Sequence, residues 1–141
     1  TKTYSIPVVL HLDHGKDFKV IMAALRAGFT SVMIDASFYP YEENVAQTKR
    51  VVDIAHAMDV SVEAELGKLK GIEDNVAVEE RDATLINPKQ AVDFISKTGI
   101  DYLAPAVGTS HGAFKYKGDS KIDFDRLREV KQLTDCPLVL H

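Results

Sequence analysis

The chain has 141 residues, of which 45% are apolar and 27% charged, a composition typical of one globular domain. Its net charge is −4, and it lacks the clustered basic residues of a nucleic-acid-binding surface, so we expect no nucleic-acid partner. No apolar run approaches the roughly 18 residues of a membrane span, so we expect no membrane partner.

Short apolar runs alternate with amphipathic segments along the whole chain. Five strands are predicted, at residues 7–12, 31–35, 61–66, 101–106 and 137–141. They are rich in Val, Ile and Leu and nearly uninterrupted, as expected for parallel strands buried on both faces. Four helices are predicted between them, the first with Phe18, Ile21, Met22 and Leu25 on one face.

Residues that commonly begin and end helices stand at the predicted boundaries. Asn87 before Pro88 predicts a helix start, and Asp123 predicts another. Gly28 and Gly99 stand where a glycine often ends a helix before the next strand. The resulting βαβαβαβαβ order predicts an α/β fold with a parallel sheet, either doubly wound or part of a (β/α)8 barrel.

Polar side chains at the ends of all the predicted strands favour the barrel, in which chemistry comes from several strand ends. They are Asp13 and His14, Asp35 and Ser37, Glu63 and Glu65, Thr109 to His111, and His141. The Gly-x-Gly-x-x-Gly fingerprint of a dinucleotide fold is absent from the sequence. Two long loops, 67–87 and 108–122, are also predicted, and loops of this length are usually functional or disordered.

Three histidines follow predicted strands: His14, His111 and His141. Three imidazoles with one open position are a common catalytic zinc site. The alternative is that they are scattered polar residues that cap loops. Asp13, beside His14, is either a proton-transfer carboxylate or a group that orients a histidine. His11, one pleat deeper in the strand, is predicted to be structural.

Carboxylates follow the second and third strands. Glu63 and Glu65 alternate along one strand, so both point to one face, where they repel unless one is protonated or a cation lies between them. Glu65 is nearer the loop and is the better candidate for cation binding. Asp35 ends another apolar strand and is either a loop cap or part of the same site.

The glycine-rich turn 108–112 is similar to turns that hold a phosphate, because glycine lets backbone N–H groups approach an anion closely. Lys115 would help to neutralise that phosphate. The single cysteine, Cys136, cannot form an internal disulfide, so a reducing cytoplasm is expected. The chain lacks an initial methionine and ends within an apolar run, so we expect a fragment of a longer protein.

Five segments together resemble the class II, metal-dependent fructose-bisphosphate aldolases and their tagatose-bisphosphate relatives. In chain order they are His11-Leu12-Asp13-His14-Gly15, Ser31-Val32-Met33-Ile34-Asp35-Ala36-Ser37, Val62-Glu63-Ala64-Glu65-Leu66-Gly67, Val107-Gly108-Thr109-Ser110-His111-Gly112 and Pro137-Leu138-Val139-Leu140-His141. The resemblance covers nearly the whole chain. It implies a (β/α)8 barrel of about twice this length, of which residues 1–141 would be the central part of a single domain.

The resemblance also implies roles for individual residues. His14, His111 and His141 match the catalytic metal ligands, for Zn²⁺, Co²⁺ or Fe²⁺. Asp13 matches the aspartate that exchanges a proton with the substrate hydroxyl, and Glu73 matches the acid of a mobile loop. Asp35 and Glu65 match a second or alternative metal position. Gly112 and Lys115 match residues that contact the ketose phosphate. A monovalent cation is a further expected cofactor.

The implied reaction is the reversible cleavage of fructose 1,6-bisphosphate to dihydroxyacetone phosphate and glyceraldehyde 3-phosphate through a metal-stabilised enediolate. Two alternatives stay open: a tagatose 1,6-bisphosphate aldolase, and an inactive sugar-phosphate-binding barrel fragment. The expected partners are a sugar bisphosphate and further copies of the chain in a dimer or tetramer.

Overall fold

A four-stranded parallel sheet forms the centre of the fold. The computed structural model describes residues 5–67, 85–108 and 122–141, together with the backbone of three short strands between these ranges. The parallel strands are β1 (His11–Gly15), β2 (Ser31–Ile34), β3 (Ser61–Leu66) and β6 (Tyr102–Pro105), in the order β1-β2-β3-β6. All four residues of β2 are buried, as the apolar run predicts for a strand covered on both faces.

A helix follows each parallel strand, as predicted: α1 (Phe18–Arg26), α2 (Tyr41–His56), α3 (Pro88–Thr98) and α4 (Phe124–Leu133). The Asn87 side chain accepts from the N–H groups of Lys89 and Gln90, and Asp123 accepts from that of Arg126. Gly99 ends α3 in the left-handed conformation, with φ +74°. None of the described helices is both long enough and apolar enough to cross a membrane.

The two long loops predicted at 67–87 and 108–122 contain the strands of a second, smaller sheet, so the prediction of loops was wrong there. This sheet consists of β4 (Lys70–Glu73), β5 (Val76–Val78) and β7 (Ser110–His111), in the order β5-β4-β7. β4 pairs with β5 antiparallel and with β7 parallel, so the chain after β3 and the chain after β6 meet. Strands of two to four residues are too short for a period-two pattern to distinguish them from loop sequence.

Two strand boundaries differ from the prediction. β1 begins at His11 and continues to Gly15, whereas residues 7–10 lie outside the sheet and are exposed. The segment 137–141 contacts β6 through a single isolated bridge, between Leu103 and Leu138. The next hydrogen bonds of a parallel ladder would need N–H groups at Pro105 on one side and at Pro137 on the other. Proline has none, so the predicted fifth strand is reduced to one bridge beside β6.

The core between the sheet and its helices contains Phe94, whose side chain is fully buried. We expect Phe94→Ala to lower the free energy of unfolding by about 3–5 kcal/mol, because it removes a large buried ring and leaves a cavity. Equilibrium urea denaturation measures this loss. Val92 is 40% exposed on the same helix, and Val92→Ala should change stability by about 0.5 kcal/mol or less. Equal losses in the two variants would contradict this assignment of the core.

Candidate metal centre

A bulge in β1 determines where the Asp13 and His14 side chains lie. Leu12 pairs with Val32 and Gly15 pairs with Ile34, so β1 has one residue more than β2 over this stretch. His14 has φ +47°, a left-handed conformation that residues other than glycine rarely adopt. Bulges of this kind redirect side chains, often beside functional sites. Asp13 Oδ1 consequently lies 3.7 Å from His14 Nε2, although strict alternation would turn the two side chains apart.

Gly15 lets this bulge lie close to its neighbours. A Cβ atom at position 15 would lie 2.6 Å from the carbonyl oxygen of Met33 and 2.7 Å from Cγ1 of Ile21. Both distances are shorter than real Cβ contacts, and the carbonyl is backbone that cannot turn aside. The glycine that follows His14 therefore allows β1 to approach β2 and α1 closely just beyond the histidine.

A buried carboxylate orients His14. His14 Nδ1 lies 3.1 Å from Asp35 Oδ2, and both residues are buried. Asp35 Oδ1 accepts hydrogen bonds from the backbone N–H and the hydroxyl of Ser37. Burial alone would raise the pKa of Asp35, but the hydrogen bonds from His14 and Ser37 outweigh it and lower this pKa below its ordinary value. Since an ionised carboxylate only accepts, the proton of neutral His14 is assigned to Nδ1, and its lone pair to Nε2.

His141 comes from the far end of the chain to meet His14. The distance between His14 Nε2 and His141 Nδ1 is 2.8 Å, and the ring planes are 83° apart. Two nitrogens bound to one tetrahedral zinc ion at about 2.0–2.1 Å each are about 3.3 Å apart. A separation of the rings by about 0.5 Å would therefore admit such an ion, so this donor pair fits a divalent metal.

Two groups of donor atoms surround His14 in the described part of the chain. One consists of Asp13, His14 and His141, and the other of His14, Asp35 and Glu65; within each group the donor atoms lie within 4.8 Å of one another. Five residues predicted for the site are therefore brought together. The second group is wholly buried and has two carboxylates, so it offers mostly oxygen donors, whereas the first offers two imidazoles and an exposed carboxylate.

Glu63 also contacts this group, although the sequence pattern favoured Glu65 instead. Glu63 Oε1 lies 2.9 Å from His141 Nε2, and Glu63 Oε2 lies 3.8 Å from Nε2 of His11. The hydrogen bond to Glu63 raises the pKa of His141 above its ordinary value, outweighing burial and the neighbouring His14. The sequence did indicate that Glu63 could contact this group, because Glu63 and Glu65 are two positions apart on one strand and their side chains therefore lie on the same face of the sheet.

Asn44 is a positioning residue that the sequence pattern did not reveal. It is buried on α2, and its Nδ2 donates to the backbone oxygen of Glu65 at 3.1 Å. Thr48, one turn later, donates its hydroxyl to Asn44 Oδ1. The two side chains attach α2 to the end of β3 that carries Glu65. Polar residues four positions apart on the buried face of a helix were the available sign.

The remaining predicted site residues lie in the less fully described part of the chain. Gly112 and Lys115 lie outside the described residues. Glu73 pairs with Val76 in the small sheet, and His111 pairs with Gly71, but the side chains of Glu73 and His111 lie outside the description. Their predicted roles stay predictions.

The chain is similar in sequence to enzymes of one family. The family model described as "Fructose-bisphosphate aldolase class-II" matches residues 1–141. A fructose-bisphosphate aldolase of Helicobacter pylori strain 26695 is 62% identical over 136 residues, which cover 96% of this chain and 44% of that protein. One from Thermus caldophilus is 57% identical over 136 residues, with 96% and 45% covered. The chain thus spans somewhat less than half the length of these curated relatives.

Solved structures agree with the fold. A structure titled as a putative fructose-1,6-bisphosphate aldolase from Coccidioides immitis superposes with a TM-score of 0.84 at 35% identity, over 99% of this chain and 50% of that one. The YdjI aldolase from Escherichia coli K12 superposes with a TM-score of 0.80 at 34% identity, over 99% and 46%. Together with the parallel sheet, these matches confirm the predicted α/β barrel fold class.

Proposed function

The chain belongs to the class II fructose-bisphosphate aldolase family, and from that premise we propose that the protein is a lyase that cleaves fructose 1,6-bisphosphate reversibly to dihydroxyacetone phosphate and glyceraldehyde 3-phosphate. One observation carries the proposal: two imidazole nitrogens lie 2.8 Å apart, with the Asp13 carboxylate 3.7 Å from one of them. This arrangement combines nitrogen donors for a metal with an exposed acid–base group.

The family is metal-dependent, and we propose that His14 and His141, together with His111, hold the divalent ion. Nitrogen donors suit Zn²⁺, Co²⁺ or Fe²⁺. When bound, the ion acts as a Lewis acid toward the carbonyl and hydroxyl oxygens of the ketose and stabilises the negative charge that develops there. Asp35 and Glu65 supply oxygen donors for an alternative position of that ion or for a monovalent cation.

In this proposal Asp13 is the acid–base group. Its side chain is 66% exposed, so it reaches the space above the strand ends while its neighbour His14 stays buried. Cleavage between C3 and C4 of the ketose requires removal of the C4 hydroxyl proton, and the Asp13 carboxylate accepts it; in the reverse direction the same group returns it. Glu73 is proposed to transfer a proton at the enediolate carbon. Gly112 and Lys115 are proposed to bind the phosphate of the ketose.

We also propose the domain, the oligomeric state, the location and the partners of the protein. Residues 1–141 form the central part of a single (β/α)8 barrel domain, and the barrel protein acts in glycolysis as a homodimer or homotetramer. Cys136 is the chain's single cysteine, and burial raises the pKa of its thiol, which suits a structural residue in a reducing cytoplasm. The proposed partners are sugar bisphosphates, with neither nucleic acid nor membrane.

Turnover of the two C4 epimers tests this function. The purified protein is assayed with fructose 1,6-bisphosphate and with tagatose 1,6-bisphosphate, each before and after removal and return of Zn²⁺. Metal-dependent cleavage that is faster with fructose 1,6-bisphosphate supports the proposal. Faster cleavage of the tagatose epimer would replace it by the tagatose aldolase, and binding without metal-dependent cleavage of either would replace it by the inactive sugar-phosphate-binding barrel.

A further inference from the structure

Glu63 lies behind His141, on the side of the ring that faces away from His14. Its Oε1 lies 2.9 Å from His141 Nε2, whereas His141 Nδ1 is the nitrogen that lies 2.8 Å from His14. We propose that Glu63 is a positioning residue, which holds His141 in the tautomer and orientation that direct Nδ1 toward the metal. The inference rests on the proposed metal-dependent function, because it assigns a role toward that ion.

The tautomer follows from the chemistry of the carboxylate. An ionised Glu63 can only accept, so neutral His141 carries its proton on Nε2 and its lone pair on Nδ1. Asp35 fixes His14 in the opposite sense, with the proton on Nδ1 and the lone pair on Nε2. The two carboxylates therefore direct two lone pairs at each other across 2.8 Å. Such an arrangement is repulsive unless a proton or a metal ion lies between the nitrogens.

Glu63 lies close to a second histidine on its other side. The residue is only 5% exposed, and a buried carboxylate is costly unless it is paired. Its second oxygen, Oε2, lies 3.8 Å from His11 Nε2, and His11 Nδ1 lies 2.8 Å from the Ser31 hydroxyl. The Glu63 carboxylate therefore lies between His141, to which it is hydrogen-bonded, and His11, which the Ser31 hydroxyl at the start of β2 positions.

A direct role of Glu63 as a metal ligand fits the geometry less well. Neither of the two donor groups found among the described residues includes Glu63. Its oxygen that contacts His141 does so at Nε2, so moving that oxygen to an ion beside Nδ1 would break the hydrogen bond. Carboxylates that orient ligating histidines in this way typically change metal affinity about 10–100-fold when they are removed.

The test measures the affinity of the purified protein for Zn²⁺ by competition with a chromophoric chelator. We expect Glu63→Ala to weaken Zn²⁺ binding about 10–100-fold, and turnover of fructose 1,6-bisphosphate to return when excess Zn²⁺ is added. Glu63→Gln keeps an acceptor oxygen and the shape but loses the charge, so its loss should be smaller. Glu129 is exposed on α4, and Glu129→Ala should leave Zn²⁺ affinity unchanged.

Nitrogen NMR of the histidine rings gives a second readout that a merely structural role would not move. In the zinc-loaded protein, the His141 signals should show a protonated Nε2 and a metal-bound Nδ1, and Glu63→Gln should shift the Nε2 signal. If Glu63→Ala does not fold by circular dichroism, Glu63→Gln carries the test. Wild-type affinity in both folded variants would overturn the role of Glu63 alone, whereas a wild-type protein that binds no Zn²⁺ would overturn the proposed metal-dependent function and this inference with it.

Discussion

Replacing Asp13 by alanine is expected to leave the zinc content of the protein unchanged and to reduce turnover of fructose 1,6-bisphosphate by about 10²–10⁴-fold, the usual contribution of a general acid–base group. The carboxylate is exposed and lies 3.7 Å from His14 Nε2, so it is near the proposed ion without being enclosed by the protein. Steady-state kinetics together with metal analysis of the same samples measure the two effects separately.

Two further variants make the Asp13 result specific. Asp13→Asn has the same shape but cannot accept the proton, so it should lose nearly as much activity as Asp13→Ala. Asp125, whose side chain is 95% exposed on α4, provides the control, and Asp125→Asn should turn over normally. Normal turnover of Asp13→Ala would show that another group moves the proton. Loss of zinc together with activity would show instead that Asp13 holds the ion.

The second large effect is expected from His14→Ala, which should remove both stoichiometric zinc and activity. His14 is common to both donor groups, so its loss breaks the two possible metal positions at once. The substitution also leaves the buried Asp35 carboxylate without its imidazole partner. Leaving a buried acceptor without its hydrogen-bond partner typically costs about 1–3 kcal/mol, so the variant should also unfold at lower urea concentration.

His56 supplies a matched control for the His14 variant. His56 Nε2 also lies close to an aspartate, 2.9 Å from Asp101 Oδ2, but both side chains are well exposed. His56→Ala should therefore keep its zinc and its turnover, and it should lose less than about 1 kcal/mol of stability. Retention of stoichiometric zinc by His14→Ala would refute the proposed donor set.

The helices were predictable because the signals that begin and end them are local. Asn87, Asp123 and Gly99 act within a few residues of their own positions, and each has the predicted role in the structure. The parallel strands were equally predictable where the apolar run is continuous, as in β2 and β3. The first strand was misplaced because the apolar residues 7–10 continue its pattern, although only tertiary contacts decide where pairing begins.

These local sequence patterns did not predict the small sheet. Its strands β4 and β7 are separated by more than thirty residues of chain, and their pairing depends on how β3 and β6 bring their loops together. Side-chain alternation over two to four residues carries too little information to predict such pairing. The same long-range dependence explains why Asn44, which fixes the end of β3 from α2, was not foreseen.

The sequence by itself determined the alternation of strands and helices and the chemical types of the residues at the strand ends, because periodicity and helix caps are properties of short segments. Only the tertiary structure decided which atoms face one another. The bulge at Asp13 and His14 depends on pairing with β2, and the meeting of His14 with His141 joins residues 127 positions apart. The choice of ring nitrogen depends on Asp35 and Glu63, which different strands place beside the two histidines.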